Sequence, residues 1–168
     1  MLIAKMCVQG VSTALPDTNV STCVRRMRDD HVGSVIVVDS ARRPVGIVTD
    51  RDLVLRVLEP GLDPKSVPVE RVMTRCPRTM PRTASTLEAL QVMRELGVRR
   101  LPVVGDRGEL VGIISVDDLL QHVAEELGSL SLVLAHSVGG AGLPVRMGDG
   151  RAKTSTQPIS RAAGEAEC

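Results

Sequence analysis

One stretch of this sequence is written twice. Val45-Gly46-Ile47-Val48-Thr49-Asp50-Arg51-Asp52-Leu53 returns 66 residues later as Val111-Gly112-Ile113-Ile114-Ser115-Val116-Asp117-Asp118-Leu119. Each copy reads as an apolar strand that ends on a hydroxyl residue and turns into a helix opened by carboxylates. The turn gathers a hydroxyl, the free amides of a helix start and an aspartate at one corner. Such a corner can hold the ribose and phosphate of a nucleotide. The bland reading uses the same residues: Thr49, Asp50, Ser115 and Asp118 suit the N-cap or first turn of any helix.

The flanking sequence repeats at the same offset. Pro16-Asp17-Thr18-Asn19 signals a turn and a helix start after an extended lead-in around Gly10–Ala14. Val20, Cys23, Val24 and Met27 then place one apolar face on a helix. Thr86, Ala89, Leu90 and Met93 occupy the same places in the second copy, after a lead-in at Thr79-Met80. Val35–Val38 and Leu101–Val104 are short apolar runs, expected as buried strands. Asp39–Pro44 and Gly105–Gly108 are hairpin connections to the doubled strand. The closing helices are expected to turn Leu53, Val54, Val57 and Leu58 inward in one copy, and Leu119, Leu120, Val123, Ala124 and Leu127 in the other, with stops at Glu59-Pro60-Gly61 and Gly128.

The pattern predicts an α+β sandwich of two β-α-β-β-α repeats packed sheet to sheet about a pseudo-twofold axis, at 1–60 and 70–128, with a linker at 61–69. Leu130–Leu134 either extends the last helix or packs on the module. The region 129–168 reads as a mostly disordered tail, rich in Gly, Ala, Ser, Thr and Pro.

Composition excludes several classes. The net charge of +1 offers no basic surface for nucleic acid, and the absence of Phe, Tyr and Trp removes any stacking platform. No run is long enough to span a membrane, and the N-terminus lacks the apolar core of a signal peptide. Cys7, Cys23, Cys76 and Cys168 are far apart in sequence and read as reduced thiols of a cytoplasmic protein, with Cys23 packing in a core. His31, His122 and His136 show no metal-ligand spacing, and no nucleophile elbow, Walker loop or GxGxxG fingerprint is present. Nothing here suggests an enzyme.

The doubled order of elements, Met73-Thr74 with Pro81, Leu101-Pro102-Val103-Val104, and the two Gly-apolar-Ser/Thr-x-x-Asp motifs together resemble a tandem pair of cystathionine-β-synthase (CBS) domains, the Bateman module. The resemblance covers roughly residues 5 to 128. It implies a regulatory protein that senses AMP, ADP, ATP or S-adenosylmethionine and modulates a partner such as an enzyme or transporter, commonly as a homodimer. It maps ribose binding to Asp52 and Asp118, phosphate binding to Thr49 and Ser115, and an adenine pocket to Ile36, Val48, Pro102 and Ile114. No cofactor is required, although Mg²⁺ can arrive with ATP.

The copies differ where Arg51 faces Asp117. Arg51 adds a candidate phosphate contact, whereas Asp117 repels one. The first corner is therefore expected to tolerate charged phosphates better, and the second to favour AMP or a ligand of little charge. Arg56 and His122 follow Asp52 and Asp118 at i+4 and are expected chiefly to pair with them. The competing reading is a ligand-free module that dimerises through faces such as Leu53/Val57 and Leu119/Val123.

Overall fold

The structure of the chain, a computed structural model, describes residues 2–139. Contacts divide the chain into two units, Met1–Leu130 and Ser131–Cys168, and the first holds both repeats. Its strands are β1 (Thr13–Ala14), β2 (Ser34–Val38), β3 (Pro44–Thr49), β4 (Thr74–Arg75), β5 (Met80–Pro81), β6 (Arg100–Val104) and β7 (Leu110–Ser115). Its helices are α1 (Val20–Asp29), α2 (Asp50–Leu53), which runs on into a π-helical turn at Val54–Leu58, α3 (Thr86–Leu96) and the start of α4 (Val116–Gly139). The expected α+β fold with two β-α-β-β-α repeats is what the chain adopts.

The repeat holds down to register. In one sheet the order is β1-β2-β3-β4 and in the other β5-β6-β7. Ser34 pairs Thr49 as Arg100 pairs Ser115, and Val37 pairs Gly46 as Val103 pairs Gly112. Both hairpins shift register at the same step, Val37/Val38 and Val103/Val104. Three left-handed backbone positions coincide too, Gly61 alone having no counterpart among the described residues: Cys76 (φ 49°) matches Gly10 (φ 73°), His31 (φ 53°) matches Gly97 (φ 64°) and Arg42 (φ 61°) matches Gly108 (φ 80°). Each turn requires this conformation, and in each pair one copy meets it with glycine while the other forces a side chain into it.

The helices form for local reasons. Asn19 caps α1 by accepting from the Thr22 amide at 3.0 Å. Ser85 and Glu88 make a reciprocal capping box on α3, and Gly97 closes it in the left-handed conformation. Two hydrogen bonds from Ser85 hold the Glu88 carboxyl below its usual range. Val20, Cys23 and Met27 of α1, and Ala89 and Met93 of α3, are buried. Val24 and Leu90, expected on the same faces, are exposed. They flank a narrow stripe that a sheet of so few strands does not reach beyond.

The closing helices depart further from expectation. Val57 is buried and Leu53 partly so, but Val54 and Leu58 are 52% and 73% exposed. The π-helical turn widens the spiral, so residues four apart align and only one of the two apolar rows faces the sheet. In α4, Leu119 is buried, whereas Leu120, Val123, Ala124 and Leu127 are exposed. Gly128 does not stop the helix. It lacks the left-handed backbone of a C-cap, and the helix runs through Leu130–Leu134 to Gly139, so the tail does not begin at 129. The remainder of the expected tail, 140–168, lies outside the described residues.

The repeats exchange their lead-ins. The helical turn Ile3–Lys5 precedes the first repeat, yet Ile3 is buried in the core of the second, among Met80, Met93, Leu101 and Ile114. Its counterpart Val69–Arg71 precedes the second repeat, and Val69, Val72 and Met73 lie in the core of the first, with Val20, Val35 and Val48. The main-chain contacts match: Leu2 bridges Ser85 as Pro68 bridges Asn19, and Val8 bridges Ile113 as Thr74 pairs with Ile47. A third cluster, Ile36, Val38 and Leu110 with Val11, Ile47 and Ile113, joins the two sheets.

This crossing explains the glycine that opens each doubled strand motif. A Cβ on Gly112 would stand 2.9 Å from Cys7 Sγ and 3.0 Å from the Val8 carbonyl oxygen. A Cβ on Gly46 would collide with the Met73 thioether. Gly112→Ala is expected to destabilise by about 1–3 kcal/mol, because a backbone oxygen must shift. Gly46→Ala should cost less, because Met73 can change rotamer. Urea midpoints of the two variants check this order, and an unchanged midpoint for Gly112→Ala would contradict it.

Candidate functional site

The doubled motif closes into the same hydrogen-bond ring at both corners. Thr49 caps α2: Asp52 Oδ2 accepts from the Thr49 amide at 2.9 Å and from its hydroxyl at 2.7 Å, and the Asp52 amide donates back to Thr49 Oγ1 at 3.2 Å. At α4, Asp118 Oδ2 accepts from the Ser115 amide at 2.7 Å and its hydroxyl at 2.6 Å, and the Asp118 amide donates to Ser115 Oγ at 3.2 Å. These are capping boxes with aspartate in the place of glutamate. The hydroxyl has one proton, and each ring gives it to the aspartate. An outside oxygen that accepted from the hydroxyl instead would free a carboxylate lone pair to accept elsewhere, so the two groups are linked through one hydrogen bond.

Beyond the rings the corners differ. Thr49, Arg51 and Asp52 line a cleft of about 660 Å³ that is also lined by Arg99 and the start of β6, from Arg100 to Pro102. The first corner thus faces the second repeat, with Thr74, Cys76 and Arg78 along one side. That size suits a small-molecule ligand. Asp118 borders a smaller recess of about 250 Å³, together with Lys5, Met6 and His122.

The i+4 partners also separate. Arg56 pairs with Asp52 Oδ1 at 3.1 Å, as expected, and also donates to the Val72 carbonyl at 2.8 Å. It ties the first corner to the exchanged lead-in. His122 does not pair with Asp118; its Nε2 lies 3.2 Å from Glu126 Oε1, one turn further along α4. Asp117 holds Arg99 at 2.9 Å, with both side chains largely exposed.

Of the four expected adenine-pocket residues, only Pro102 lines the cleft. Val48 and Ile114 are fully buried in the two repeat cores, and Ile36 is fully buried in the cluster between the sheets. For Val48 and Ile114 the reason is parity, whereas Ile36, paired with Ile47, is on the inter-sheet face and is covered there by Val38 and Leu110. Side chains alternate along a strand, so in β3 Val48 faces the helices and Ile47 faces the other sheet, on the side of Thr49. Ile47 is the residue in the cleft. Sequence reasoning also missed Arg78, Arg99, Arg100 and Cys76, although Pro102 marked the strand that Arg100 opens and Arg99 precedes.

The CBS domain family matches residues 5–59 and 69–125. The chain belongs to this family. An uncharacterized protein of Methanopyrus kandleri is 34% identical over 119 residues, which span 71% of this chain and 61% of that protein. This chain thus corresponds to about three-fifths of that relative. The crystal structure of hypoxic response protein I, with two coordinated zinc ions, superposes with a TM-score of 0.67 at 29% identity, covering 73% of this chain and 98% of that one. A CBS domain protein from Pyrobaculum aerophilum, complexed with AMP, superposes with a TM-score of 0.67 at 25% identity, covering 77% and 99%. Among the described residues of this CBS pair, no three or more His, Cys, Asp or Glu side chains gather as a metal site. No described helix is long and apolar enough to cross a membrane.

The cysteines report on the site. Burial raises the thiol pKa of Cys23 and of Cys7, which favours the unreactive neutral form. Cys76 is exposed in the cleft. Among the three described cysteines, iodoacetamide at mildly alkaline pH is therefore expected to modify Cys76 first, Cys7 more slowly and Cys23 last, as read from peptide masses over time. Alkylation of Cys23 at the rate of Cys76 would contradict the packing of α1.

Proposed function

We propose that this CBS pair is a regulatory adenosine-nucleotide sensor that binds its ligand in the cleft at Thr49–Asp52 and modulates a partner protein. One observation carries the reading: the cleft sets the Thr49–Asp52 ring of one repeat against Arg99, Arg100 and Pro102 of the other. Asp52 would accept from the ribose diol, Thr49 and Arg51 would meet phosphate, and Ile47 and Pro102 would flank adenine. With no aromatic side chain in the sequence, the base would lie between aliphatic surfaces. Asp118 and Ser115 would form the second, weaker site. The AMP complex of the Pyrobaculum relative supports an adenosine ligand. The ligand's role would be allosteric, because the cleft joins the two repeats and binding would favour one arrangement of them.

The protein would act without catalysis, as a cytoplasmic homodimer, on a target such as an enzyme or transporter. Apolar residues left exposed beside each corner, Val54 and Leu58 on one helix and Leu120 and Val123 on the other, would serve the dimer contact. Val57 and Leu119, named for that role from the sequence, are spent in the cores.

A second reading has its own support. Each ring already satisfies its hydroxyl and one carboxylate oxygen, so the motifs are complete as caps. The chain would then be a ligand-free interaction module. AMP titration of purified protein separates the two. Under the sensor reading, AMP binds and slows Cys76 alkylation, and Asp52→Asn weakens binding about tenfold, the worth of a hydrogen bond to a charged group. Asp118→Asn leaves the protection of Cys76 intact. No AMP binding at millimolar concentration, with wild-type melting behaviour throughout, would favour the ligand-free module.

A further inference from the structure

Four guanidinium groups line the first cleft. Arg51 comes from the first repeat, and Arg78, Arg99 and Arg100 come from the second. None is repeated at the other corner. Displaced by 66 residues, the corresponding positions hold Asp117, Ser12, Gly33 and Ser34. The arginines are therefore no part of the duplicated framework, and the fold of a repeat does not need them.

Their surroundings leave them available. Among the described residues, Arg51, Arg78 and Arg100 form no ion pair. Arg99 is held only by Asp117, in an exposed pair of the kind that contributes little. The cleft also holds two carboxylates, Asp50 and Asp52, and Asp52 is already neutralised by Arg56. Cations outnumber anions in its lining. At the opposite corner Asp117 adds negative charge, and Ser12, in the place of Arg78, is buried with its hydroxyl unpartnered.

A guanidinium grips phosphate through paired N–H donors, and four of them exceed what one phosphate can engage. They match a chain of phosphates carrying three or four negative charges. We propose that the first cleft is selective for a nucleoside triphosphate, with Arg78, Arg99 and Arg100 reading the β- and γ-phosphates across the repeat boundary. The proposal rests on the adenosine reading above and narrows it. Arginine keeps its charge at any physiological pH, so this binding needs no divalent cation. The second corner, lacking all four cations, takes no triphosphate.

Calorimetric titrations of the full chain with ATP, ADP, AMP and inorganic tripolyphosphate, in EDTA, test this. ATP is expected to bind about tenfold or more tighter than AMP, with ADP between, because each added charged contact is worth up to about that factor. Arg78→Gln, Arg99→Gln and Arg100→Gln each lower ATP affinity several-fold and AMP affinity less. Arg25→Gln, on the exposed face of α1, changes neither. ATP affinity also falls more steeply with salt than AMP affinity. AMP binding as tightly as ATP, or equal losses for both ligands in the arginine variants, would overturn the triphosphate proposal while leaving the adenosine reading in place. Tripolyphosphate binding without any adenosine ligand would overturn the adenosine reading and keep the polyanion cleft. Binding of none of the four would overturn both.

Discussion

The structure depends on a crossing of chain over strand. Each doubled strand has a glycine as its third residue because the lead-in of the other repeat passes directly over it, Cys7-Val8 at Gly112 and Met73 at Gly46. That passage carries Ile3 into one core and Val69 into the other, and both are fully buried. Burying such a side chain stabilises by roughly 1.5–3 kcal/mol. Neither core is complete without the other repeat's residues. This is how units of some sixty residues, near the lower limit for independent folding, become one stable body. It also brings Arg78 and Cys76, which follow the exchanged lead-in, alongside the first corner.

The same corner chemistry appears in two surroundings. In both copies a hydroxyl and an aspartate close a ring that caps a helix. A cap of this kind is stable without a ligand, and it also holds the groups that a ribose and a phosphate would use. What separates the corners is the wall they face. Thr49–Asp52 looks toward arginines and Pro102, whereas Asp118 looks toward Lys5, His122 and the acidic surface of α4. An identical motif can thus carry different affinities, because long-range charge and shape come from the opposing repeat.

Local features were legible in the sequence for physical reasons. Strand and helix periods placed α1, α3 and the two hairpins, and the offset of 66 carried each element and its register to its partner. The capping residues Thr49, Ser115 and Asp118 followed from helix-start chemistry, and Arg56 from i+4 geometry, whereas the first cap closes on Asp52 and not on Asp50. The misreadings share one cause, direction in space. Val48 was assigned to the pocket where Ile47 lies, because a motif resemblance does not say which face of the strand meets the other sheet. Val54, Leu58, Leu120 and Val123 were placed inward because apolar spacing does not say how much surface is there to cover it. Gly128 was read as a stop, yet a glycine ends a helix only where the backbone turns left-handed.

By itself, then, the sequence determined the repeat, the elements within it, the two hydroxyl–aspartate corners and the family to which they belong. These depend on contacts between residues close along the chain or on an internal comparison of one copy with another. Tertiary structure alone decided which lead-in completes which core, that one corner opens onto three arginines of the other repeat, and that most of the expected adenine pocket is packed away. Those outcomes depend on which residues distant in the chain come to face one another, and that is set by the packing of the two sheets.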